Sequence, residues 1–125
     1  MSSPTDWAPT STRVRVRSVP ISDPGDLLDR LPDTNALSWT RGNDGFVAWG
    51  EFARLDVSGS ARFADATRWW GDVIGGLHID DLVGVPGSGP VAFASFTFDD
   101  NAAGSVVIVP RVIIGRRDGA CWVTT

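Results

Sequence analysis

The stretch ALSWTRGNDGFVAWGEFARLDV, residues 36–57, decides the fold because it encodes a β-hairpin. Two runs of alternating apolar and polar residues flank the sequence GNDG, residues 42–45. Glycine and asparagine readily adopt the positive φ angles of tight hairpin turns, so this pattern is a strong short-range hairpin signal. Gly50 lies inside the second run, where a glycine marks either a bulge or a close approach of another backbone or a ligand.

The segment before the hairpin predicts one more strand and a short helix. RVRVRSVPI, residues 13–21, alternates strictly and places Arg13, Arg15 and Arg17 on one face. Both an edge strand and a strand flanking an anionic partner fit this pattern. SDPGDLLDRLPD, residues 22–33, predicts a short helix that Ser22 or Asp23 caps and a proline stops. Residues 1–12 are rich in Ser, Thr and Pro and predict a flexible N-terminal tail.

The segment after the hairpin carries the one clear helix. SGSARFADATRWWGDVIGG, residues 58–76, has Ser60 as a possible N-cap and ends at Gly75-Gly76. One helical face collects six residues at helical spacing, which predicts packing against the core. These residues are Phe63, Ala66, Thr67, Trp70, Val73 and Ile74. The following LHIDDLVGVPGSGP, residues 77–90, predicts a loop.

The last third predicts three closely spaced strands, over residues 91–98, 105–116 and 120–124. Turns at 99–101 and 117–119 join them, and short turns imply an antiparallel meander. Both faces of VAFASFTF, residues 91–98, are largely apolar, which predicts an interior strand of a sheet covered on both sides. The predicted fold class is α+β: an antiparallel β-sheet meander with one main amphipathic helix.

Composition limits the classes of function. The net charge is −4, and all 11 basic residues are arginine. An acidic chain argues against nucleic-acid binding and against docking on an anionic membrane. A chain without lysine has no lysine general base and forms no Schiff base. With a single cysteine, no signal peptide pattern and no long apolar run, the expected location is the cytoplasm.

Few residues are candidates for chemistry. His78 and Cys121, the only histidine and cysteine, cannot supply the usual ligand count of a zinc site, and no local signature supports a Cys-His dyad. Two acidic pairs, residues 80–81 and 99–100, are either Mg²⁺ ligands or ordinary turn residues, and the turn interpretation is favoured. GVPGSGP, residues 84–90, lacks the Lys-Ser/Thr ending of a phosphate-binding loop. The residues alone therefore predict no catalytic group and no metal ligand.

Several segments, in this order, resemble the N-terminal part of isochorismate synthases, members of the chorismate-binding enzyme family. SWTRGNDGFVAWGEFARLDVSGSARFADATRWW is similar to a hairpin, a GWGE-like strand and a helix ending in tryptophans. GSGPVAFASFTFDD is similar to the strand that follows, and SVVIVPRVIIGRRDGACWVT to the next pair of strands. The resemblance covers residues 36–125 and is closest in character to actinobacterial enzymes of menaquinone or siderophore synthesis.

The resemblance implies an intact cytoplasmic enzyme that converts chorismate to isochorismate. In that family Mg²⁺ holds the substrate carboxylate, a lysine activates water for attack at C2, and a glutamate protonates the departing C4 hydroxyl. Those residues follow the segment seen here, and this chain has no lysine and a single glutamate, Glu51. No catalytic, substrate-binding or metal-binding residue is therefore transferred to this sequence.

The resemblance further implies that residues 13–125 are part of an incomplete domain, half of an α/β core that is inactive alone. A strand at 120–124 with no closing element predicts self-association through an uncovered sheet edge. The alternatives are a segment of another chorismate-using enzyme (salicylate, anthranilate or aminodeoxychorismate synthase) and a non-catalytic β-rich module.

Overall fold

The protein is a mixed α+β structure built mostly of β-sheet. The computed structural model describes residues 14–32, 36–99 and 103–125, so the predicted tail and Arg13 lie outside the described residues. In this part of the chain one α-helix and one short 3₁₀ helix, Leu27–Arg30, accompany nine strands. The elements are β1 Val14–Pro20, β2 Ala36–Arg41, β3 Asp44–Trp49, β4 Ala53–Val57, α1 Arg62–Gly75, β5 Leu77–Asp81, β6 Phe93–Ser95, β7 Ser105–Val109, β8 Val112–Arg117 and β9 Ala120–Thr124.

The strands form two sheets. The larger sheet has six strands in the order β2-β3-β8-β9-β1-β5, and the smaller has three in the order β4-β7-β6. The predicted hairpin is confirmed: β2 and β3 pair up to Arg41 opposite Asp44, which leaves a two-residue loop. The predicted turn between β8 and β9 is also confirmed, with Asp118 and Gly119 both at positive φ, as tight hairpin turns require.

Two stretches of chain pass from one sheet to the other. The prediction of one strand over 105–116 is wrong, because β7 lies in the small sheet and β8 in the large one. Pro110 has no N–H for a sheet ladder, and it falls at the bend. Gly50 lies at the matching bend between β3 and β4. The second run of the hairpin segment is therefore two strands and not one. Gly50 has φ +77°, and a Cβ there would lie 3.0 Å from the Arg111 side chain rather than from another backbone or a ligand.

Three predictions about strand neighbours are wrong. Residues 77–81 form β5 and not a loop, and β5 pairs in parallel with β1, so the meander is not antiparallel throughout. Consequently β1 lies between β9 and β5 and is not an edge strand. β9 is not an edge either, because β8 and β1 flank it. A local alternating pattern records which face is buried but not how many strands lie alongside, so edges are decided by long-range pairing.

The prediction of an interior strand over 91–98 is wrong, because only three of these residues form a strand and that strand lies at the edge of the small sheet. Only β6, Phe93–Ser95, pairs, and its one neighbour among the described residues is β7. Beyond it the backbone takes other partners. Thr97 N donates to Ser105 Oγ at 2.9 Å, and the carbonyls of Thr97 and Phe98 accept from Arg62. These contacts direct the chain away from the ladder.

The helix ends where predicted but does not have the predicted cap. α1 ends at Gly75, with Gly76 as C-cap, whereas Ala61 is the N-cap residue and makes no side-chain hydrogen bond. Ser60 is therefore not the cap. The 3₁₀ helix is also capped differently, by Asp26, whose carboxylate accepts from Leu28 N at 3.0 Å.

The largest fully buried apolar side chains, Trp122, Ile113 and Val47, all lie in the large sheet. The predicted apolar face of α1 is only partly covered: Ala66 is buried, but Phe63 keeps 52% of its surface exposed. Within the described residues, no helix is long and apolar enough to cross a membrane.

Candidate functional site

His78 and Cys121 do not form a dyad. His78 lies opposite Arg15 in the β1–β5 pair, whereas the Cys121 carbonyl accepts from Ile21 N, beyond the other end of β1. Six residues of extended chain separate these points, a distance of about 20 Å. Burial raises the pKa of the Cys121 thiol, and the nearby Asp23 carboxylate raises it further. The cysteine is therefore a buried neutral thiol.

The acidic pair at 80–81 is divided between two structural tasks. Asp80 lies 3.9 Å from Arg15 Nε and 3.6 Å from His78 Nε2. Both contacts are solvent-exposed, so they contribute little to stability. Asp81 instead accepts from Ser88 Oγ at 2.6 Å and from the backbone N–H groups of Val83 and Gly84 at 3.0 Å. The Ser88 hydrogen bond, together with these N–H groups, lowers the pKa of Asp81. Asp81 thus organises the glycine-rich loop, as the turn interpretation requires.

The described residues do not offer the Mg²⁺ site that the resemblance implies for a whole enzyme. No group of three or more His, Cys, Asp or Glu residues among them could hold a metal ion. Glu51, the only glutamate, pairs with Arg54 at 3.1 Å. In the second acidic pair, the Asp99 carbonyl accepts from Thr97 Oγ1, and Asp100 lies outside the described residues.

A buried arginine at the start of α1 was missed by sequence reasoning. Arg62 is only 4% exposed and donates to the carbonyl oxygens of Thr97 (2.8 Å), Gly59 (3.0 Å) and Phe98 (3.3 Å). Its guanidinium carbon also lies 4.6 Å from the centre of the Phe63 ring. Arg62 therefore joins the helix to the chain that follows β6.

This junction carries three phenylalanines, which we call the phenylalanine patch: Phe63 and Phe96, whose rings are in contact, and Phe98, whose backbone carbonyl accepts from Arg62. The Phe63 and Phe96 rings pack with centroids 4.6 Å apart. Phe63 is 52% exposed, and Phe98 is fully exposed. Isolated exposed apolar side chains are ordinary, whereas contiguous exposed apolar surface is typical of interaction sites.

A second arginine, Arg116, is partly buried at one end of the large sheet. It donates to Asp23 Oδ1 at 2.9 Å, to Gly25 O at 2.6 Å and to Asn43 O. Its side chain is 11% exposed. Arg116 therefore joins the segment before the 3₁₀ helix to the hairpin turn, and its charge is neutralised by Asp23. Nothing in the local sequence signals this role, because its partners are 91, 93 and 73 residues away along the chain.

The same strands also line a surface cavity of about 430 Å³. We call it the aromatic groove and define it by Trp39, Phe46, Trp122, Arg41 and Arg117, which all line it. The Phe46 ring lies between the two tryptophans, with centroids 6.1 Å from Trp39 and 6.3 Å from Trp122. These residues come from four strands whose order depends on tertiary pairing, so no local pattern in the sequence brings them together.

Comparison with known proteins adds no family to this geometry. No protein-family model matches the chain, and neither a curated protein nor a solved structure matches it. The function of the chain has to be argued from its sequence motifs and from the surfaces just described.

Proposed function

We propose that this chain is the N-terminal scaffold segment of an isochorismate synthase, inactive alone and completed by a catalytic half. The observation that carries the proposal is the phenylalanine patch, where Phe63 and Phe98 remain exposed although α1 is amphipathic. Leaving large rings in water is unfavourable by roughly 1.5–3 kcal/mol each compared with burying them. The patch therefore favours a partner segment that covers it.

The sequence motifs support the choice of partner. The segments similar to isochorismate synthases fall on β2 to α1, on β6 and on β7 to β9, so they cover most of the two sheets. The chain has no lysine to activate water. A chorismate-using activity would then require a second segment that supplies the lysine, the acid and the Mg²⁺ ligands.

The test is complementation with purified components. The 125-residue chain is assayed with chorismate and Mg²⁺, alone and after mixing with the catalytic half of an isochorismate synthase that lacks its own N-terminal segment. We expect no turnover by either half and isochorismate from the mixture. Turnover by the chain alone would refute its incompleteness, and a mixture that forms no complex would refute the scaffold role.

The product of the mixture separates the related enzymes. Salicylate would indicate a salicylate synthase scaffold, and an aminated product formed only with ammonia would indicate an anthranilate or aminodeoxychorismate synthase. Phe98→Asp should weaken assembly at least tenfold, because it places a charge in the covered patch. The matched control is Leu28→Asp, which changes a side chain 51% exposed on the 3₁₀ helix and should leave assembly unchanged.

A further inference from the structure

We propose that the aromatic groove binds a small planar aromatic monocarboxylate, with the ring on Trp39 and the acid on Arg41 and Arg117. This site is separate from the phenylalanine patch, and the proposal holds whether or not the chain assembles with a catalytic half. The proposal is based on three observations: the register of four strands, the glycine-rich loop that forms one wall of the groove, and the difference in ion-pair partners among Arg41, Arg116 and Arg117.

Register places the aromatic residues in one row. Trp39 lies opposite Phe46, Phe46 opposite Gly115, and Gly115 opposite Trp122. Residues directly opposite each other in a sheet point to the same face, so the three rings share a surface. Gly115 has no side chain, and the Trp122 ring lies over it as the buried floor. Trp39, at the open end of the row, is 58% exposed and offers its indole for stacking.

The glycine-rich loop forms the other wall and is held in place. Pro86 and Gly87 line the groove. Gly87 has φ +95°, and a Cβ on it would lie 2.7 Å from Phe46 Cζ, so only glycine allows this approach. Hydrogen bonds from Ser88 to Asp81 and from Gly89 N to the buried Ser18 hydroxyl, at 2.6 and 2.8 Å, anchor the loop. The cavity is therefore largely preformed, and its size is within the range of small-molecule pockets.

The arginines determine which ligand fits. Arg41 follows Trp39 by two residues along β2, and Arg117 follows Gly115 by two residues along β8. Because side chains two apart in a strand point to the same face, both arginines lie on the face that carries the three rings. Arg41 has no ion-pair or hydrogen-bond partner for its side chain among the described residues, and Arg117 reaches only the neighbouring Asp118, at 3.9 Å. Arg116 is different, because Asp23 and two carbonyls occupy its guanidinium. The unpaired Arg41 guanidinium, together with the Arg117 guanidinium in its long, exposed contact with Asp118, lies beside exposed ring surface and matches a carboxylate on an aromatic body.

The acidic residues at the groove set the charge of that ligand. Asp44 and Asp118 also line the cavity, and they partly offset the positive charges of Arg41 and Arg117. A dianion such as a phosphate ester would meet these carboxylates as well as the arginines. A single carboxylate that engages the guanidinium groups directly, with its ring on Trp39, is better matched.

The test uses indole-3-acetate as the probe, with its neutral amide and the amine tryptamine as comparisons. Binding to the whole chain is followed by ¹H–¹⁵N NMR, in which each of the six tryptophans gives its own indole signal. We expect the Trp39 indole signal to move and the acid to bind at least fivefold more tightly than the amide, with tryptamine weakest. Equal affinity for acid and amide, or shifts that leave Trp39 unmoved, would overturn the proposal.

Variants locate the contacts. Arg41→Gln and Arg117→Gln should each weaken indole-3-acetate binding five- to tenfold without changing the weaker binding of the amide, and Trp39→Ala should weaken both. Arg68→Gln on α1, another exposed arginine, is the matched control and should change nothing. Because Arg41, Trp39 and Arg117 are exposed, unchanged circular dichroism is expected for each variant. An Arg41→Gln/Arg117→Gln double variant that is folded and still binds the acid normally would reject the site.

Discussion

The contact between Gly115 and Trp122 leads to a sharp prediction about stability. A Cβ at position 115 would lie 2.4 Å from Cε2 and Cζ2 of the Trp122 ring. Favourable separations between non-bonded carbon atoms are about 3.5–4.0 Å, so Gly115→Ala brings atoms more than about 1 Å too close. Gly115 is not among the glycines at positive φ, so its backbone conformation is one that alanine adopts without strain. The cost of the substitution therefore comes from the ring alone.

The ring has little room to move. Trp122 is 1% exposed, and its indole packs edge-on against Phe46. Overpacking a tight core is destabilising by about 1–3 kcal/mol, and we expect Gly115→Ala to lie near the upper end of that range. With a urea dependence of about 1–3 kcal/mol per molar, a cost of about 3 kcal/mol should lower the unfolding midpoint by about 1–3 M. Equilibrium urea unfolding, followed by tryptophan fluorescence and far-ultraviolet circular dichroism, measures this shift.

Two further variants make the reasoning testable. Gly71→Ala is the matched glycine substitution: it lies within α1, its Cβ would meet no atom within 4 Å, and it should stabilise the fold by about 0.5–1 kcal/mol. In a Trp122→Leu background, adding Gly115→Ala should cost much less than in the natural chain, because the ring is gone. A Gly115→Ala protein with an unchanged midpoint, or an equal cost in both backgrounds, would refute the packing argument.

Three other predictions concern the groups that hold the loop and the thiol. Ser18→Ala should cost about 1–3 kcal/mol in the same urea assay, because the buried hydroxyl pairs with Thr124 Oγ1 at 2.6 Å and accepts from Gly89 N. Asp81 has a lowered pKa in the folded state. Its contribution to the free energy of unfolding is therefore present above the unfolded pKa of about 3.9 and is lost as pH falls through the folded pKa. Urea midpoints measured from pH 7 to pH 3 should therefore differ less between Asp81→Asn and the natural chain at the acid end. Cys121 has a raised pKa in the folded state, so its contribution to the free energy of unfolding is complete below the unfolded value of about 8.5. That contribution declines as pH rises toward the folded value. Cys121→Ala should therefore lessen the loss of stability at alkaline pH. If the urea midpoint of each variant changes with pH as it does in the natural chain, the pKa shifts of Asp81 and Cys121 do not cause the pH dependence of stability.

Part of the candidate surfaces could be anticipated from sequence and part could not. The turn role of Asp81 was predictable, because aspartate in a loop commonly accepts hydrogen bonds from backbone N–H groups a few residues ahead. The roles of Arg62 and Arg116 were not, because each guanidinium binds carbonyls of segments far along the chain. The aromatic groove was hidden for the same reason. Trp39 and Trp122 are far apart in sequence, and only the strand order β2-β3-β8-β9 brings them to one face.

The sequence by itself determined the local structure of this protein. The GNDG hairpin, the Asp118-Gly119 turn and the end of α1 at two glycines all follow from backbone preferences that act over a few residues. The tertiary structure alone decided that the chain over 105–116 divides between two sheets, that β1 and β5 pair in parallel, and that β9 lies inside the large sheet. Strand order depends on pairing between distant segments, whose hydrogen bonds are chemically alike whichever strands form them. Local patterns therefore specify the strands, whereas packing of the whole chain selects their neighbours.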